Sequence, residues 1–310
     1  MSAKNTPPLQ SSNHSIVGVW TALATPFRSD GSIDWAAFEH LLKLQEKGGV
    51  DGVVICGTTG ESPTLTNDEK VELVKRARTV LGKSTRVMAG SGGNDTRQSI
   101  ELSKRCVDAG ADSLLVVTPP YNKPSPAGLQ LHFQSIANAV SVPICLYHVP
   151  GRTAQSLSNT VLGNLCKIKG IAAVKEASGD VAFFSRAVMK SPDIGFLSGD
   201  DPTYLASLAV GGVGVISVIT NIFPAAFVKM TRAFQNGDVQ LARRIHEILL
   251  PVTDSMFCEA NPGPLKAALK ILGWCENQLR APLAPVTEDN YKVIATLLQE
   301  TQLQLSRLNL

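Results

Sequence analysis

The sequence lacks an excess of charge of either sign. Its 29 lysine and arginine residues nearly balance its 26 aspartate and glutamate residues, which leaves a formal net charge of +3 for 310 residues. The basic residues are scattered among acidic ones, so neither nucleic acid nor an anionic membrane surface is an expected partner. Long hydrophobic runs are missing too, since none approaches the roughly 20 residues that span a membrane.

Closely spaced cysteines and paired histidines are also missing. The six cysteines are widely separated and contain no C-x-x-C pair, which indicates reduced core thiols and a cytoplasmic location. The five histidines show no metal-ligand spacing, so no metal site is expected. Residues 1–15 have neither the charged start nor the apolar stretch of an export signal, and we predict that they form a flexible N-terminal arm.

Short apolar runs alternate with longer amphipathic stretches through the first two thirds of the chain, which is the pattern of β-strand and α-helix units. The runs begin near Val17, Gly52, Arg86, Ser113, Pro143, Ile171, Gly195 and Gly214. Their continuous β-branched character suits parallel strands covered on both faces. The sequence therefore predicts an α/β fold, a (β/α)8 TIM barrel over residues 16–237, followed by a C-terminal helical extension over residues 238–310.

An open, doubly wound sheet is the main alternative to a barrel. Such a sheet would normally carry a G-x-G-x-x-G turn after its first strand, and this chain has Leu23-Ala24-Thr25-Pro26 there. In the predicted extension, helices are expected over Val239–Leu250, Leu265–Leu272 and Glu288–Leu308.

Lys175 is the most informative polar residue, because it ends the apolar run Ile171–Val174 at the edge where a barrel places its chemistry. Burial would favour the neutral amine, and a neutral lysine amine can form a Schiff base with a carbonyl substrate. A lone lysine at a strand end more often extends its ammonium into solvent. Neighbouring strand ends must therefore supply the further evidence.

Other predicted strand ends carry side chains that suit this chemistry. The second strand ends in a glycine-rich turn whose hydroxyls, Thr58 and Thr59, could hold a small carboxylate. Tyr121 follows the fourth strand and Tyr147 lies at the end of the fifth, and a phenol near a Schiff-base lysine can carry protons. Arg152 offers a planar pair of donors to a substrate carboxylate. Each of these residues, taken singly, is more often structural.

Two further polar features receive a structural interpretation. His148 is the only histidine at a predicted strand end, and a structural place is favoured over a direct role. Asp200 and Asp201 follow the seventh strand and suit the start of the next helix.

Six motifs occur together in this chain. They are GTTGES at 57–62, TPPYNKP at 118–124, LYHVPGRT at 146–153, VKEASGD at 174–180, LSGDD at 197–201 and GVISV at 214–218. With this set the chain resembles the dihydrodipicolinate synthase (4-hydroxy-tetrahydrodipicolinate synthase) family of Schiff-base aldolases, which includes N-acetylneuraminate lyase. The resemblance covers nearly the whole chain after the N-terminal arm.

The resemblance implies a lyase of lysine and diaminopimelate biosynthesis, which condenses pyruvate with L-aspartate-4-semialdehyde to form 4-hydroxy-tetrahydrodipicolinate. Lys175 matches the Schiff-base lysine, so no external cofactor is implied. The matching proton relay consists of Thr58, Tyr147 and Tyr121, with Tyr121 supplied by a neighbouring subunit. A homo-oligomer, usually a dimer of dimers, is therefore implied. The positions that match substrate-binding residues are Thr59 for the pyruvate carboxylate, Arg152 for the semialdehyde carboxylate, and Gly199 and Ile216 for the pyruvate pocket.

Relatives of this family leave other activities open. A pyruvate-dependent aldolase of N-acetylneuraminate or of a 2-keto-3-deoxy sugar acid is the alternative, and Arg152 with the paired threonines Thr58 and Thr59 favours the synthase. A catalytically idle pyruvate sensor is a further possibility, against which the intact lysine and both tyrosines argue.

The chain departs from the family at the site where some members bind lysine as an inhibitor. Ser62 and Asn94 fit that site, but Gln98 replaces an acidic side chain and Pro120 replaces a tyrosine; Asn67 and Lys70 stand where several inhibited relatives have histidines. Loss of the carboxylate removes a charge-assisted hydrogen bond of about 1.5 to 3 kcal/mol, or about one to two decades of affinity. The sequence therefore predicts a degenerate effector site and weak or absent inhibition by lysine.

Overall fold

The computed structural model describes residues 14–310 and contains a closed barrel of parallel strands in the order of the sequence. The strands β1 to β8 are Gly18–Ala22, Gly52–Ile55, Arg86–Gly90, Ser113–Val117, Ile144–His148, Ile171–Glu176, Gly195–Ser198 and Gly214–Ser217. β1 pairs with β8, which closes the barrel. The predicted (β/α)8 barrel is confirmed.

Helices surround the barrel and continue beyond it. In the described part of the chain, α1 to α12 are Trp35–Gly48, Asn67–Val80, Thr96–Asp108, Pro126–Ala139, Pro150–Thr153, Asn159–Leu165, Val181–Lys190, Tyr204–Ala209, Pro224–Gln235, Val239–Ser255, Gly263–Ile271 and Glu288–Ser306. The last three follow the barrel as the predicted C-terminal helical extension. Among residues 14–310, no helix combines the length and apolar character needed to cross a membrane.

The chain boundaries drawn from the sequence stay predictions. Most of the N-terminal arm predicted over residues 1–15 lies outside the described residues, which begin at His14. The barrel strands begin at Gly18, and the first helix of the extension begins at Val239.

Local sequence signals account for where the helices begin. The side chain of Thr66 accepts a hydrogen bond from Glu69 N at 3.1 Å, and the Glu69 carboxylate accepts one from Thr66 N at 2.8 Å. This reciprocal capping box satisfies two backbone donors that the first turn of α2 would otherwise leave without partners. Aspartates cap α1 and α3 in a similar way.

Two helices of the extension differ from their predicted bounds. Helix α10 was expected to end at Leu250, before Pro251, but it continues to Ser255. Proline removes one backbone hydrogen bond, and the buried side chains of Val252 and Thr253 hold the continued helix against the core. Helix α11 begins at Gly263 instead of Leu265, because a proline is tolerated in the first turn of a helix.

The apolar core has two parts. The larger part lies between the strands and the surrounding helices. The smaller part fills the barrel itself with Trp20, Met88, Leu115, Cys145 and Leu197, among others. Because this interior is packed, a substrate can enter only at an end of the barrel.

Strand β6 contains an irregularity that determines which way its side chains face. In its pairing with β5, Ile144 opposes Ile171 but the next residue, Cys145, opposes Ala173, so Ala172 is an extra residue in β6. Beyond this bulge Ala173 faces the barrel interior, and Lys175, two residues later, faces the same way.

Candidate active site

Lys175 lies near the C-terminal end of β6 and points into the mouth of the barrel. It is paired with Tyr147 of β5, and its Nζ lies 4.4 Å from the centroid of the tyrosine ring. The residue is only 6% exposed. Within residues 14–310 no salt bridge includes Lys175. The amine is therefore buried beside a phenol and is not held by a carboxylate.

Gly199, directly after β7, provides the space that the lysine side chain occupies. A methyl group at this position would lie 2.7 Å from Lys175 Cε and 2.6 Å from the Cβ of Ala177. Gly199 N also donates a hydrogen bond to Glu176 O at 2.6 Å, which holds the backbone close to β6. The absence of a side chain at Gly199 thus sets the position of the Lys175 amine.

A buried pair beside these residues holds β5 and β6 together. His148 Nδ1 lies 3.1 Å from Glu176 Oε1, and both side chains are 2% exposed. Since His148 Nε2 accepts a hydrogen bond from Leu157 N, the ring proton is on Nδ1 and is donated to Glu176. The same carboxylate oxygen accepts a hydrogen bond from Ser178 N. His148 has the structural place that its sequence position suggested.

A cavity of about 460 Å³ opens at the C-terminal ends of β2 to β5. The predicted site residues in its wall are Thr58, Tyr147, Arg152, Ser62 and Asn94. Because Tyr147 lines the cavity and also contacts the Lys175 amine, the structure brings the lysine, Thr58 and Arg152 to one region. Ile216 is buried within the barrel interior, in the same apolar cluster as Tyr147.

The turn after β2 is tied to the C-terminal extension. Thr59 is buried, and its hydroxyl accepts a hydrogen bond from Asn261 Nδ2 at 3.1 Å. The backbone oxygen of Asn261 accepts a hydrogen bond from Arg152 Nη2 at 3.3 Å. Sequence reasoning missed Asn261, which precedes Pro262 in a segment interpreted only as a break between helices. The available signal was an amide side chain directly before Pro262-Gly263-Pro264.

Tyr121 does not join this cavity in the single chain. It lies in the loop between β4 and α4, is 89% exposed and has a φ of 71°. A non-glycine residue in the left-handed region is uncommon, so the surrounding loop fixes the direction of this side chain.

The two aspartates after β7, Asp200 and Asp201, have different hydrogen-bond partners. Asp200 follows the predicted capping pattern, since its carboxylate accepts hydrogen bonds from the backbone and hydroxyl of Thr203. The prediction for Asp201 is wrong, because its buried carboxylate accepts hydrogen bonds from Val218 N and Ile219 N after β8. Burial raises the pKa of Asp201. This contact joins two strand ends, which the spacing along the chain could not reveal.

The predicted effector residues are only partly brought together. Ser62 and Asn94 line the cavity, whereas Gln98 lies outside it on α3, where its amide donates to Asp95 Oδ2 at 3.2 Å. Lys70 also lines the cavity, and burial lowers the pKa of its ammonium. Among the described residues no group of three or more histidine, cysteine, aspartate or glutamate side chains could hold a metal ion.

Comparisons with known proteins agree with this architecture. The family model described as the dihydrodipicolinate synthetase family matches residues 15–301. The 4-hydroxy-tetrahydrodipicolinate synthase of Leptospira biflexa serovar Patoc is 42% identical over 288 residues, which cover 91% of this chain and 98% of that protein.

Solved structures show the same similarity. The 4-hydroxy-tetrahydrodipicolinate synthase of Methylacidiphilum fumariolicum SolV superposes with a TM-score of 0.92 and 39% identity, over 95% of this chain and 98% of that one. The chloride-inhibited dihydrodipicolinate synthase of Acinetobacter baumannii, complexed with pyruvate, has a TM-score of 0.91 and 36% identity over 93% and 99% of the two chains.

The space beside Lys175 generates a first prediction. We expect Gly199→Ala to reduce borohydride trapping of pyruvate on Lys175 by at least about tenfold, because the added methyl group displaces the lysine side chain and a small misplacement of a reacting group is costly. Mass spectrometry of the trapped chain measures the effect. Gly151→Ala is the matched control, since a methyl group there meets no atom within 4 Å. Equal trapping by both variants would contradict the assigned role of Gly199.

Proposed function

This chain belongs to the dihydrodipicolinate synthetase family, and we propose that it is a lyase that condenses pyruvate with L-aspartate-4-semialdehyde to form 4-hydroxy-tetrahydrodipicolinate. The reaction would serve lysine and diaminopimelate biosynthesis. The observation that carries the proposal is the buried Lys175 amine, which contacts Tyr147 at the barrel mouth and has no ion-pair partner in the described residues.

The first half of the reaction makes a nucleophile from pyruvate. Neutral Lys175 attacks the keto carbon, and Thr58 and Tyr147 pass protons so that the carbinolamine loses water. The resulting imine is protonated and withdraws electrons from the methyl group. Loss of a methyl proton then gives an enamine bound to Lys175. The imine is the electron sink, so the proposal requires no external cofactor and no metal.

The second half releases the lysine. The enamine carbon attacks the aldehyde of the second substrate and forms the new carbon–carbon bond. The amino group of the bound product then attacks the imine carbon, which closes the ring and expels the Lys175 amine. One water is lost for each pair of substrates, from the first condensation.

The substrate carboxylates have separate places in this proposal. The hydroxyl of Thr59 and the amides of its turn receive the pyruvate carboxylate, close to Lys175. Gly199 and Ile216 form the wall next to pyruvate. Arg152 lines the cavity, and its guanidinium receives the carboxylate of the semialdehyde. A second anion site of this kind selects an aldehyde that carries its own carboxylate.

An acceptor assay tests the choice of aldehyde. We expect turnover with aspartate semialdehyde and rates at least about tenfold lower with N-acetylmannosamine or glyceraldehyde as competing acceptors, because neither offers a carboxylate to Arg152. Product analysis by mass spectrometry measures the three rates. A preference for N-acetylmannosamine or glyceraldehyde would favour the sugar-acid aldolase instead.

We also propose that the active protein is a homotetramer, a dimer of dimers, in the cytoplasm. Tyr121 supports the oligomer, because it is the third member of the proposed relay and yet is exposed and does not line its own cavity. A second copy would bring this phenol to the Lys175 site. The cysteines, which are all free thiols, suit a reducing compartment.

Mixed oligomers test whether Tyr121 acts across a subunit contact. Tyr121→Phe and Lys175→Ala chains should each have little activity alone. Random mixing of equal amounts should restore about a quarter of the wild-type rate, because half of the pairs are hybrids and each hybrid contains one complete site. The rate after co-refolding or co-expression measures this. Mixtures that remain inactive would place Tyr121 in the site of its own chain, and a Tyr121→Phe chain that is active alone would place it outside the relay.

The effector site generates a prediction for lysine. We expect no half-inhibition at micromolar lysine, since Gln98 lies outside the cavity and the Lys70 ammonium would repel the ammonium of the ligand. Initial rates at increasing lysine concentration measure this, with another amino acid such as alanine as the control. Half-inhibition in the micromolar range would show that the site is intact.

A further inference from the structure

The turn after β2 is held by a distant part of the chain. We call residues 57–62 the carboxylate turn and residues 261–280 the anchor segment. The anchor segment contains α11 and contacts the carboxylate turn through Asn261, Lys266 and Arg280. Two parts of the chain that are separated by about two hundred residues therefore meet directly beneath the proposed pyruvate site.

A buried ion pair is the strongest of these contacts. Glu61 Oε1 lies 2.6 Å from Lys266 Nζ, and both side chains are 0% exposed. Lys266 Nζ also donates to Gln278 O at 2.7 Å and lies 4.1 Å from the centroid of the Phe27 ring. The second carboxylate oxygen of Glu61 accepts a hydrogen bond from Arg280 N at 3.0 Å. The pair is withdrawn from water and has several further partners.

Stability alone is a weak reason for such a pair. Desolvation of two charges costs about as much as their attraction returns, and apolar side chains of similar volume are often at least as stable. Burial lowers the pKa of Lys266, and the carboxylate of Glu61 opposes that shift. The pair is better explained by a role in fixing the geometry of the carboxylate turn than by a role in stability.

The backbone of the carboxylate turn shows what the geometry requires. Glu61 has a φ of 55°, a left-handed conformation that is unfavourable for a side-chain-bearing residue. Glu61 N donates to Thr58 O at 3.0 Å, so the conformation of Glu61 fixes the residue next to Thr59. The hydroxyl of Thr59 is itself fixed by Asn261. A carboxylate held rigidly at position 61 therefore determines where both threonine hydroxyls lie.

We infer that Glu61 and Lys266 are positioning residues for the pyruvate step, and that their ion pair sets the carboxylate turn so that Thr59 meets the pyruvate carboxylate and Thr58 reaches the proton relay. This inference rests on the proposed function. Neither side chain contacts the cavity, so both act through the turn. In the proposed function the aldehyde carboxylate binds at Arg152, which follows β5 and donates to the backbone of Asn261 instead of contacting Glu61 or Lys266, so the larger effect of the ion pair falls on pyruvate.

Three variants separate positioning from stability. Lys266→Met removes the cation and leaves a buried carboxylate, whereas Glu61→Gln with Lys266→Met removes both charges at similar volume. Lys270→Met is the matched control. Lys270 lies on the same helix as Lys266, and it forms an exposed ion pair with Glu276 at 2.7 Å. The measurements are the pyruvate concentration for half-maximal borohydride trapping, the aldehyde KM and the Tm.

We expect Lys266→Met to lower the Tm and to raise the half-maximal pyruvate concentration by about 10- to 100-fold. The double variant should recover the wild-type Tm but keep the raised pyruvate concentration for half-maximal trapping. Its aldehyde KM should change less. Lys270→Met should change none of the three.

The contrary outcomes are distinct. If the double variant regains the wild-type pyruvate concentration together with the Tm, the ion pair is only part of the scaffold and the inference is overturned. If Lys266→Met fails to fold, the half-maximal pyruvate concentration of the double variant alone distinguishes a positioning role from a stabilising one. A wild-type chain that traps no pyruvate would overturn the proposed function and, with it, this inference.

Discussion

The chemistry of this molecule depends on one amine that is buried without a counter-charge. Lys175 is held by its backbone in β6, by the Tyr147 ring and by the space at Gly199, and no carboxylate in the described residues pairs with it. A carboxylate partner would keep the amine protonated and occupied. The nearby carboxylates have other partners. Glu176 accepts a hydrogen bond from His148, and Asp201 accepts hydrogen bonds from two backbone amides.

The sequence predicted the barrel and several polar residues of the cavity wall because both depend on local pattern. Runs such as Val53–Ile55 and Leu114–Val117 are apolar on both faces, which indicates covered parallel strands. The C-terminal ends of such strands meet at one edge, so Thr58, Tyr147 and Arg152 could be expected near one another before any coordinates. The capping box of α2 was also visible as Thr66 followed by Glu69.

The contacts made by the extension could not be predicted in this way. Asn261 and Lys266 reach residues of the carboxylate turn from about two hundred positions away, and no periodicity encodes that meeting. The sequence predicted a helix over Leu265–Leu272 and assigned Lys266 no role, although a lysine among Leu265, Ala267 and Ala268 was a signal of a buried charge. The extension is thus a structural component of the site and not only a cover for the barrel.

The extra residue in β6 has a consequence for how such a site can be lost. Ala172 shifts the strand by one place against β5, and side chains alternate between the two faces of a strand. If Ala172 instead paired regularly with Cys145, every later residue of β6 would face the opposite way, with the Lys175 amine out among the helices and the Glu176 carboxylate in toward the axis. A slip of β6 by one place against β5 would therefore abolish the reaction although every reactive residue remained in the chain.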